Sequence, residues 1–497
     1  MKLAELFSIL HQFDLGSSDG NPVATEVDLL TSDSTKAKKG SVYVAIKGTK
    51  VDGHSFIPQV VNQGVSGLVV EDKKNIPAQF KGAVAVVPNT RKALGQLAAQ
   101  FYENPSSELF CVGVTGTNGK TTTTYFIEQI LKKFGWNTGV IGTTGHFLNQ
   151  KVWPTELTTP DAITLQNRLR QFRDEKADAV AFEVSSISLH QHRVQSVDFD
   201  VMVFLNFSRD HLDYHGNMAE YLRCKELLFS EYAAQVQKKR MLAVLFGDDQ
   251  SIRSIKMDPR VEPVFFGKGP MNDFEIKILK SDLSGTHFSL KSKFGVIELF
   301  LPIPGEHNVL NVTASAICAL HAGMSMNSIK AAISQISGVP GRWERVHNKK
   351  GYNVFVDFAH TPEAMSSLLS EVHKLRDKES KVITVFGCGG GRDKGKRPLM
   401  GEVAQAKSDL VIVTSDNPRD EDPMEIINEI VSGMDKTKKN FVFAPDRREA
   451  INKALNAAKP HDIVLIVGKG HEKFQLIGPA KIPFDDGKVA GELIAKI

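Results

Sequence analysis

Cysteine is scarce in this chain, with four residues in 497 at positions 111, 224, 318 and 388 and no close pair. That spacing excludes a zinc knuckle or a disulfide framework and suits a reducing compartment. No apolar run approaches the roughly 18 residues needed to span a bilayer. An excess of one charge is also lacking: 61 Lys and Arg against 57 Asp and Glu leave a net charge of +4, too little to point to a nucleic-acid partner. Repeats and low-complexity tracts are absent. Met1-Lys-Leu-Ala-Glu-Leu-Phe7 reads as an amphipathic helix with Glu5 inside it, which is not the pattern of a secretory leader. These absences predict a cytoplasmic protein with no nucleic-acid and no membrane partner.

What is present is an ordinary globular composition, 41% hydrophobic and 24% charged, in a chain too long for one core. Three domains are expected, at 1–108, 109–340 and 341–497, divided near Asn104-Pro-Ser-Ser107 and Gly338-Val-Pro-Gly341. The class is α/β throughout. In the first domain, strands at 41–46, 67–70 and 83–87 precede a helix at 91–102. In the second, apolar strands at 179–183 and 201–206 end in polar residues, and 278–301 reads as an antiparallel patch. In the third, strands at 353–357, 381–387, 410–415 and 463–468 alternate with helices such as 362–376. Strands of this kind are buried on both faces and carry functional groups at their carboxyl ends.

The most informative stretch is Val112-Gly-Val-Thr-Gly-Thr-Asn-Gly-Lys-Thr-Thr122. An apolar strand turns through Gly116 and Gly119 into a helix predicted over 121–134, so backbone N–H groups and a helix dipole face any bound phosphate. Lys120 would reach the outer phosphates and the Thr121 hydroxyl a magnesium ion. Position 114 is Val where a strict phosphate loop has Gly.

Other polar clusters follow strands. Thr158-Thr159-Pro160-Asp161 reads as a helix start, with Thr159 capping and Pro160 in the first turn. Glu183-Val-Ser185-Ser186 offers either a magnesium carboxylate or a surface acid. Arg209-Asp-His211-Leu-Asp-Tyr-His215 crowds acids and imidazoles into one strand-exit loop, although histidine is a poor magnesium ligand by hardness. Lys225 reads by itself as an ordinary solvated lysine on a helical run at 221–229. The glycine-rich basic segment 387–398 has the geometry of an anion site. Asp416-Asn-Pro-Arg419 and Gly468-Lys-Gly-His-Glu472 end the neighbouring strands.

In this order, Gly116–Thr122, Glu183–Ser186, Gln191-His-Arg193, Arg209–Gly216, His307-Asn-Val-Leu-Asn311, Asp357–Pro362 and Gly468–Glu472 resemble the Mur ligase family over essentially the whole chain. The resemblance implies a small N-terminal α/β domain, a central mostly parallel phosphate-loop ATPase domain and a C-terminal Rossmann-like domain. It implies an ATP-dependent amide ligase, a monomer, with two magnesium ions and a carbamate on Lys225. On that footing Gly116, Thr117, Asn118, Gly119, Lys120, Thr121, Thr122, Asn308, Arg345, Asp357 and His360 would serve ATP. Thr121, Glu183, His211 and Lys225 would hold metal, and Lys120, His211 and Lys225 would be catalytic. Ser32, Ser34, Thr49, Lys50, Val51, Thr158, Thr159, Ser185, Gln191 and Arg193 would bind UDP-N-acetylmuramoyl-L-alanyl-D-glutamate. Arg392, Asp416, Asn417, Pro418, Arg419, Gly468 and Glu472 would bind the incoming amino acid.

Three positions depart from the family pattern: Thr35, Leu157 and Ile187 replace the usual Arg, Asn and His. Family members add either meso-diaminopimelate or L-lysine, and a guanidinium at Arg419 suits the extra carboxylate of diaminopimelate. The lysine-adding version and a folylpolyglutamate-synthetase-like ligase are the alternatives.

Overall fold

The computed structural model describes residues 1–10, 13–14, 25–48, 51–155, 157–238 and 240–497. The chain divides into two compact units. The first comprises Met1–Ile276, Leu290–Val296 and Leu310–Ala332; the second comprises Lys277–Ser289, Ile297–Val309 and Ile333–Ile497.

In the first unit, β1 (Phe13–Asp14), β2 (Leu29–Thr31), β3 (Ser41–Val44), β4 (Gly67–Val70) and β5 (Ala83–Val86) form a sheet in the order β1-β5-β4-β3-β2. Strands β2 to β5 run parallel and β1 closes one edge antiparallel. Val42, Val44, Val69, Ala83 and Ala85 pack into one core, and Tyr43, Ala45, Leu68 and Val70 into another. Strands buried on both faces read as continuous apolar runs for this reason. Helix α1 (Thr90–Phe101) starts where the Asn89 side chain accepts from the Lys92 amide.

A second sheet in this unit holds β6 (Phe110–Thr115), β7 (Thr138–Gly142), β8 (Gly145–Leu148), β9 (Lys151–Trp153), β10 (Ala179–Glu183), β11 (Val201–Phe204), β12 (Met241–Phe246) and β13 (Val261–Gly267). Their order is β13-β12-β11-β6-β10-β7-β8-β9. All neighbours from β13 to β7 are parallel, and β8 and β9 fold back as hairpins. Strand β6 is flanked by β10 and β11, with Glu183 beside Val114 and Phe204 beside Thr115. The carboxyl ends of these three strands therefore lie together. Helices α2 (Lys120–Lys133), α3 (Ala162–Asp174), α4 (Ser186–His190), α5 (Leu212–His215) and α6 (Met218–Glu226) follow strands of this sheet. The strand register explains Val114: it is a buried residue of the central strand, so the chain stays extended for one position where a strict phosphate loop has already turned.

Residues 274–301 form β14 (Phe274–Asp282), β15 (Gly285–Ser292) and β16 (Gly295–Leu301). The second unit contains β17 (Glu344–Arg345), β18 (Asn353–Asp357), β19 (Val382–Phe386), β20 (Leu410–Val413), β21 (Phe441–Phe443) and β22 (Ile463–Val467), in the order β17-β18-β22-β19-β20-β21. All pairs are parallel except β17 with β18. One apolar core covers each face of this sheet. Helices α7 (Pro362–Leu375) and α8 (Lys396–Lys407) contribute to the first core, α9 (Arg447–Ala457) and α10 (Asp486–Ile494) to the second. A hairpin, β23 (Phe474–Ile477) with β24 (Ala480–Pro483), follows β22.

Arg447 is fully buried and pairs with the fully buried Asp486 at 2.7 Å. Its guanidinium also donates to the carbonyls of Ser415 and Val467. One ion pair thus pins the ends of β20 and β22, the two strands that deliver the 416–419 and 468–472 loops. Among the described residues no helix is long and apolar enough to cross a membrane.

Candidate active site

The loop 116–119 leaves β6 and enters α2. Gly119 sits at φ +87°, and a Cβ there would stand 2.5 Å from Asn311 Oδ1, so a side chain is excluded on two grounds. Asn206, just past β11, fastens the loop from the side. Its carbonyl accepts from Thr117 N (3.1 Å), its Oδ1 accepts from Asn118 N (2.8 Å), and its Nδ2 donates to Asn118 O (3.0 Å). The Thr117 hydroxyl lies 3.2 Å from Tyr221 OH. Lys120 folds back so that Nζ donates to Gly116 O and Thr117 O, both at 2.9 Å. Thr122 is half-buried in the first turn of α2, one residue beyond Thr121.

Thr121 donates through Oγ1 to Glu183 Oε1 at 2.9 Å. Glu183 is 1% exposed and also accepts from Thr143 N (2.8 Å) and Thr143 Oγ1 (3.2 Å). Among the described residues no basic group pairs with this carboxylate, which leaves a buried negative charge held by neutral donors. Such a group calls for a cation. Thr143 went unnoticed in the sequence, although it follows an apolar strand as the strand-end rule requires.

Thr159 does not cap a helix. Its hydroxyl donates to Glu183 O (2.8 Å) and accepts from Ser185 N (3.1 Å), tying the 158–161 loop to the end of β10. The cap of α3 is Asp161, which accepts from Thr164 N at 3.0 Å and from Thr164 Oγ1 at 2.6 Å. Pro160 therefore precedes the cap. Asp161→Ala is expected to lower stability by about 1 kcal/mol in thermal unfolding; an unchanged midpoint would remove the cap from the account. Ser185 caps α4, and the Thr158 hydroxyl lies 3.2 Å from Thr143 Oγ1, to which it can donate while Thr143 donates to Glu183. Arg193 donates to Thr159 O and to Gln191 Oε1, and Gln191 donates to Tyr214 OH. The structure thus gathers Thr158, Thr159, Ser185, Gln191 and Arg193 into one network beside Glu183.

Lys225 departs most from a solvated lysine. It is 1% exposed, and Nζ donates to Gly116 O at 2.9 Å and stands 4.8 Å from the Tyr221 ring. No carboxylate lies in ion-pair contact with it among the described residues. Burial and the nearby Lys120 charge hold its proton affinity well below the ordinary lysine value. His211 takes a left-handed backbone (φ +51°) at the start of α5, with its ring 3.5 Å from the Asp210 carboxylate and 6.1 Å from Tyr221. Among the described residues no three His, Cys, Asp or Glu side chains cluster as a ready-made metal site.

Ser32 and Ser34 sit in the turn after β2, where Asp33 accepts from Thr35 N (3.0 Å) and Thr35 Oγ1 (2.7 Å). Thr35 thus spends its hydroxyl on Asp33. Val51 is exposed, and Thr49 and Lys50 lie outside the described residues.

In the second unit, Asn308 is buried and donates to Pro304 O at 2.7 Å. Arg345 donates to Leu283 O and stacks over Phe355. Asp357 accepts from Trp343 N and Ala359 N, and burial raises its carboxyl above the ordinary value. His360 receives Lys396 Nζ on its carbonyl. The 387–398 loop differs from the expected open anion cradle. Glu421 occupies the Gly391 amide at 2.6 Å, and Glu421 and Glu429 pair with Arg397 and Lys394. Its glycines serve close packing instead: a Cβ on Gly390 would sit 1.9 Å from Pro418 O. Arg392 remains exposed at its tip.

That packing shapes the 416–419 loop. Asp416 accepts from Asn417 N, and burial raises its carboxyl. Pro418 is buried. Arg419, at φ +52°, donates from Nη1 to Gly390 O (2.7 Å), while Nε and Nη2 bond no described protein group. Gly468 faces Asp416, and Glu472 accepts from Asn417 Nδ2 at 2.8 Å.

Three profiles of known families match the chain: "Mur ligase family, catalytic domain" over residues 26–102, "Mur ligase middle domain" over 114–319, and "Mur ligase, glutamate ligase domain" over 341–470. A protein of Geobacillus thermodenitrificans named UDP-N-acetylmuramoyl-L-alanyl-D-glutamate--2,6-diaminopimelate ligase is 39% identical over 99% of this chain and 98% of its own. A namesake from Aquifex aeolicus is 41% identical over 94% of this chain and 93% of its own. A solved structure of an enzyme of that name superposes with a TM-score of 0.73 at 30% identity, covering 100% of this chain and 99% of the other. Folylpolyglutamate synthase of Mycobacterium tuberculosis shares the fold at a TM-score of 0.59 and 18% identity, over 76% of this chain and 92% of its own.

Proposed function

The chain belongs to the Mur ligase family, and from that premise we propose that it joins meso-diaminopimelate to UDP-N-acetylmuramoyl-L-alanyl-D-glutamate at the expense of ATP. The observation that carries the ligase reading is the convergence of Lys120, Thr121, Glu183 and Lys225 on the end of β6, in a chain related over its whole length to enzymes of that name. A carboxylate is a poor electrophile. Transfer of the ATP γ-phosphoryl group to the D-glutamate γ-carboxylate gives an acyl phosphate and ADP. The amine of the amino acid then attacks the acyl carbon, the amide forms, phosphate leaves, and the nitrogen loses a proton. Positioning and charge do most of the work in such a transfer.

Each residue's part follows from its place. The Gly119 amide and the start of α2 would cradle phosphates, while Thr117 N and Asn118 N stay on Asn206, and Lys120 Nζ would move from Gly116 O and Thr117 O to phosphate oxygens. Thr121, Glu183, His211 and a carbamate on Lys225 would hold two magnesium ions, which would offset the charge on the transferring group. Glu183 fits that role as a buried carboxylate lacking a cation. Lys225 fits it because carbon dioxide adds to a neutral amine, the form that burial favours. Thr158, Thr159, Ser185, Gln191 and Arg193 seat the dipeptide. Ser32, Ser34, Thr49, Lys50 and Val51 seat the uridine end, and Asn308, Arg345, Asp357 and His360 serve the nucleotide. The division at 1–108, 109–340 and 341–497 is proposed on the same basis, one family match, at 26–102, 114–319 and 341–470, falling in each proposed domain. A cytoplasmic monomer fits this role.

Arg392, Asp416, Asn417, Pro418, Arg419, Gly468 and Glu472 take the amino acid. The unbonded edge of the Arg419 guanidinium fits a second carboxylate, present on diaminopimelate and absent from lysine. Losing one charge-assisted pair costs roughly 1.5–3 kcal/mol, so phosphate release at equal concentrations is expected to favour diaminopimelate by about tenfold to a hundredfold. A preference for L-lysine overturns the amino-acid assignment. Phosphate release without any amino acid overturns the ligase.

A further inference from the structure

The amino-acid clamp contains a cation that no role above uses. Lys469 follows β22 and is completely buried, with no exposed side-chain surface. Its Nζ donates to Glu472 Oε2 at 2.8 Å and to Asn417 Oδ1 at 3.1 Å. Asn417 Oδ1 accepts a second bond, from Leu476 N at 3.0 Å, which uses both of its lone pairs. This fixes which end of the amide is oxygen, so Nδ2 must point at Glu472 Oε2, 2.8 Å away. Leu476 in turn accepts from Arg419 N at 2.9 Å. Glu472 Oε2 is thereby saturated by two donors, while Oε1 bonds no described protein group.

We infer that Lys469 is the positioning residue of the amino-acid site: it locks Asn417 and Glu472 so that one carboxylate oxygen is left to receive the ammonium of a zwitterionic amino-acid end whose carboxylate meets Arg419. This rests on the reading of 416–419 and 468–472 as the amino-acid site. The alternative is that Lys469 merely fills space under the hairpin. Space-filling needs neither a charge nor two directed bonds, and complete burial makes a charge costly without a return.

The electrostatics agree with the geometry. Burial pushes the Glu472 carboxyl up, but the Lys469 charge and the bonds from Lys469 and Asn417 more than offset this and leave it below its ordinary value. The other charged or titratable groups acting on this pocket are Asp416 on the β20 loop, Arg447 from α9 with its partner Asp486, Arg342, and His471 and Lys473 beside Glu472. His471 is held neutral at ordinary pH, since burial and Arg342 bring it down to about 4. Arg447 is held by Asp486 and by the carbonyls of Ser415 and Val467, none of which bonds Lys469.

The test is K469M, with the double variant K469M/E472Q to avoid stranding a carboxylate if the single variant unfolds. K469M should raise KM for diaminopimelate by about tenfold to a hundredfold, with KM for ATP and for the UDP-dipeptide within about twofold. The acid limb of its amino-acid kcat/KM profile should move up by about one pH unit, because Glu472 loses the cation that keeps it ionised. E472Q should cost much less in the K469M background than in the wild type. Equal effects on all three KM values, an unmoved acid limb, or additive effects of the two substitutions would overturn the positioning role. If wild-type turnover does not depend on diaminopimelate, the site assignment fails first. In that event, carbon-detected NMR titration of Glu472 still decides whether Lys469 controls it: the same midpoint in both proteins overturns the inference.

Discussion

Lys120→Ala is expected to lower the amino-acid-dependent rate of phosphate release by about a thousandfold, near 4 kcal/mol of transition-state stabilisation. The size follows from what Lys120 is doing. Its ammonium lies across the phosphate loop and donates to two backbone carbonyls, Gly116 O and Thr117 O. Those bonds are weak enough to exchange for phosphate oxygens, and the charge is already in place when negative charge spreads over the transferring group. Asn206 also holds the loop through Asn118 N and O, so thermal stability should change far less than activity. Lys120→Arg separates charge from shape: a planar fork cannot occupy the same point between two carbonyls, and activity should stay well below wild type. Either variant retaining more than about a tenth of wild-type turnover would contradict this account.

The loop that makes this prediction possible was legible because its signal is local. An apolar run, two glycines and Gly-Lys-Thr at a strand-to-helix junction specify backbone geometry within a dozen residues. Strands at 67–70, 179–183 and 353–357 are read to the residue for the same reason, since they are apolar on both faces and bounded by polar turns. Helix starts were less legible. Thr159 and Asp161 are both good caps by chemistry, and only the position of the Glu183 and Ser185 backbone decides that Thr159 is spent elsewhere.

The glycine-rich 387–398 loop shows the limit more sharply. Strand, glycines and arginines suggested an open anion site, but Glu421 and Glu429, over twenty residues away, neutralise Lys394 and Arg397 and fill the Gly391 amide. Charge counts along a sequence cannot show which acids will fold over them. Lys469 was hidden likewise. It sits in a recognisable Gly-Lys-Gly-His-Glu segment, yet its bonds run to Asn417, 52 positions earlier.

Lys225→Met is expected to move activity and stability in opposite directions. Activity should fall by about a hundredfold or more, because no side chain then remains to carry the carbamate or its charge beside the phosphate loop. Stability should rise by about 1–3 kcal/mol, because a buried amine with no ion-pair partner among the described residues is exchanged for an apolar chain of similar length. The gain should depend on pH with a definite sign. The folded-state proton affinity of Lys225 lies well below the ordinary lysine value, which is near 10.4. Between the two values the unfolded chain holds a proton that the folded chain lacks, so folding of the wild type is strengthened as pH rises through that window. The cost of burying Lys225 is therefore greatest at the acid end and fades towards the alkaline end. Thermal unfolding of wild type and K225M in carbon-dioxide-depleted buffer should show the larger difference at about pH 6.5 and the smaller at about pH 9. Added bicarbonate should raise the wild-type midpoint relative to K225M, since the other amines are common to both proteins and only the lysine at 225 can gain a carbamate in the folded site. A K225M protein less stable than wild type across that range would mean that the amine is anchored by its bond to Gly116 O more strongly than it is penalised by burial.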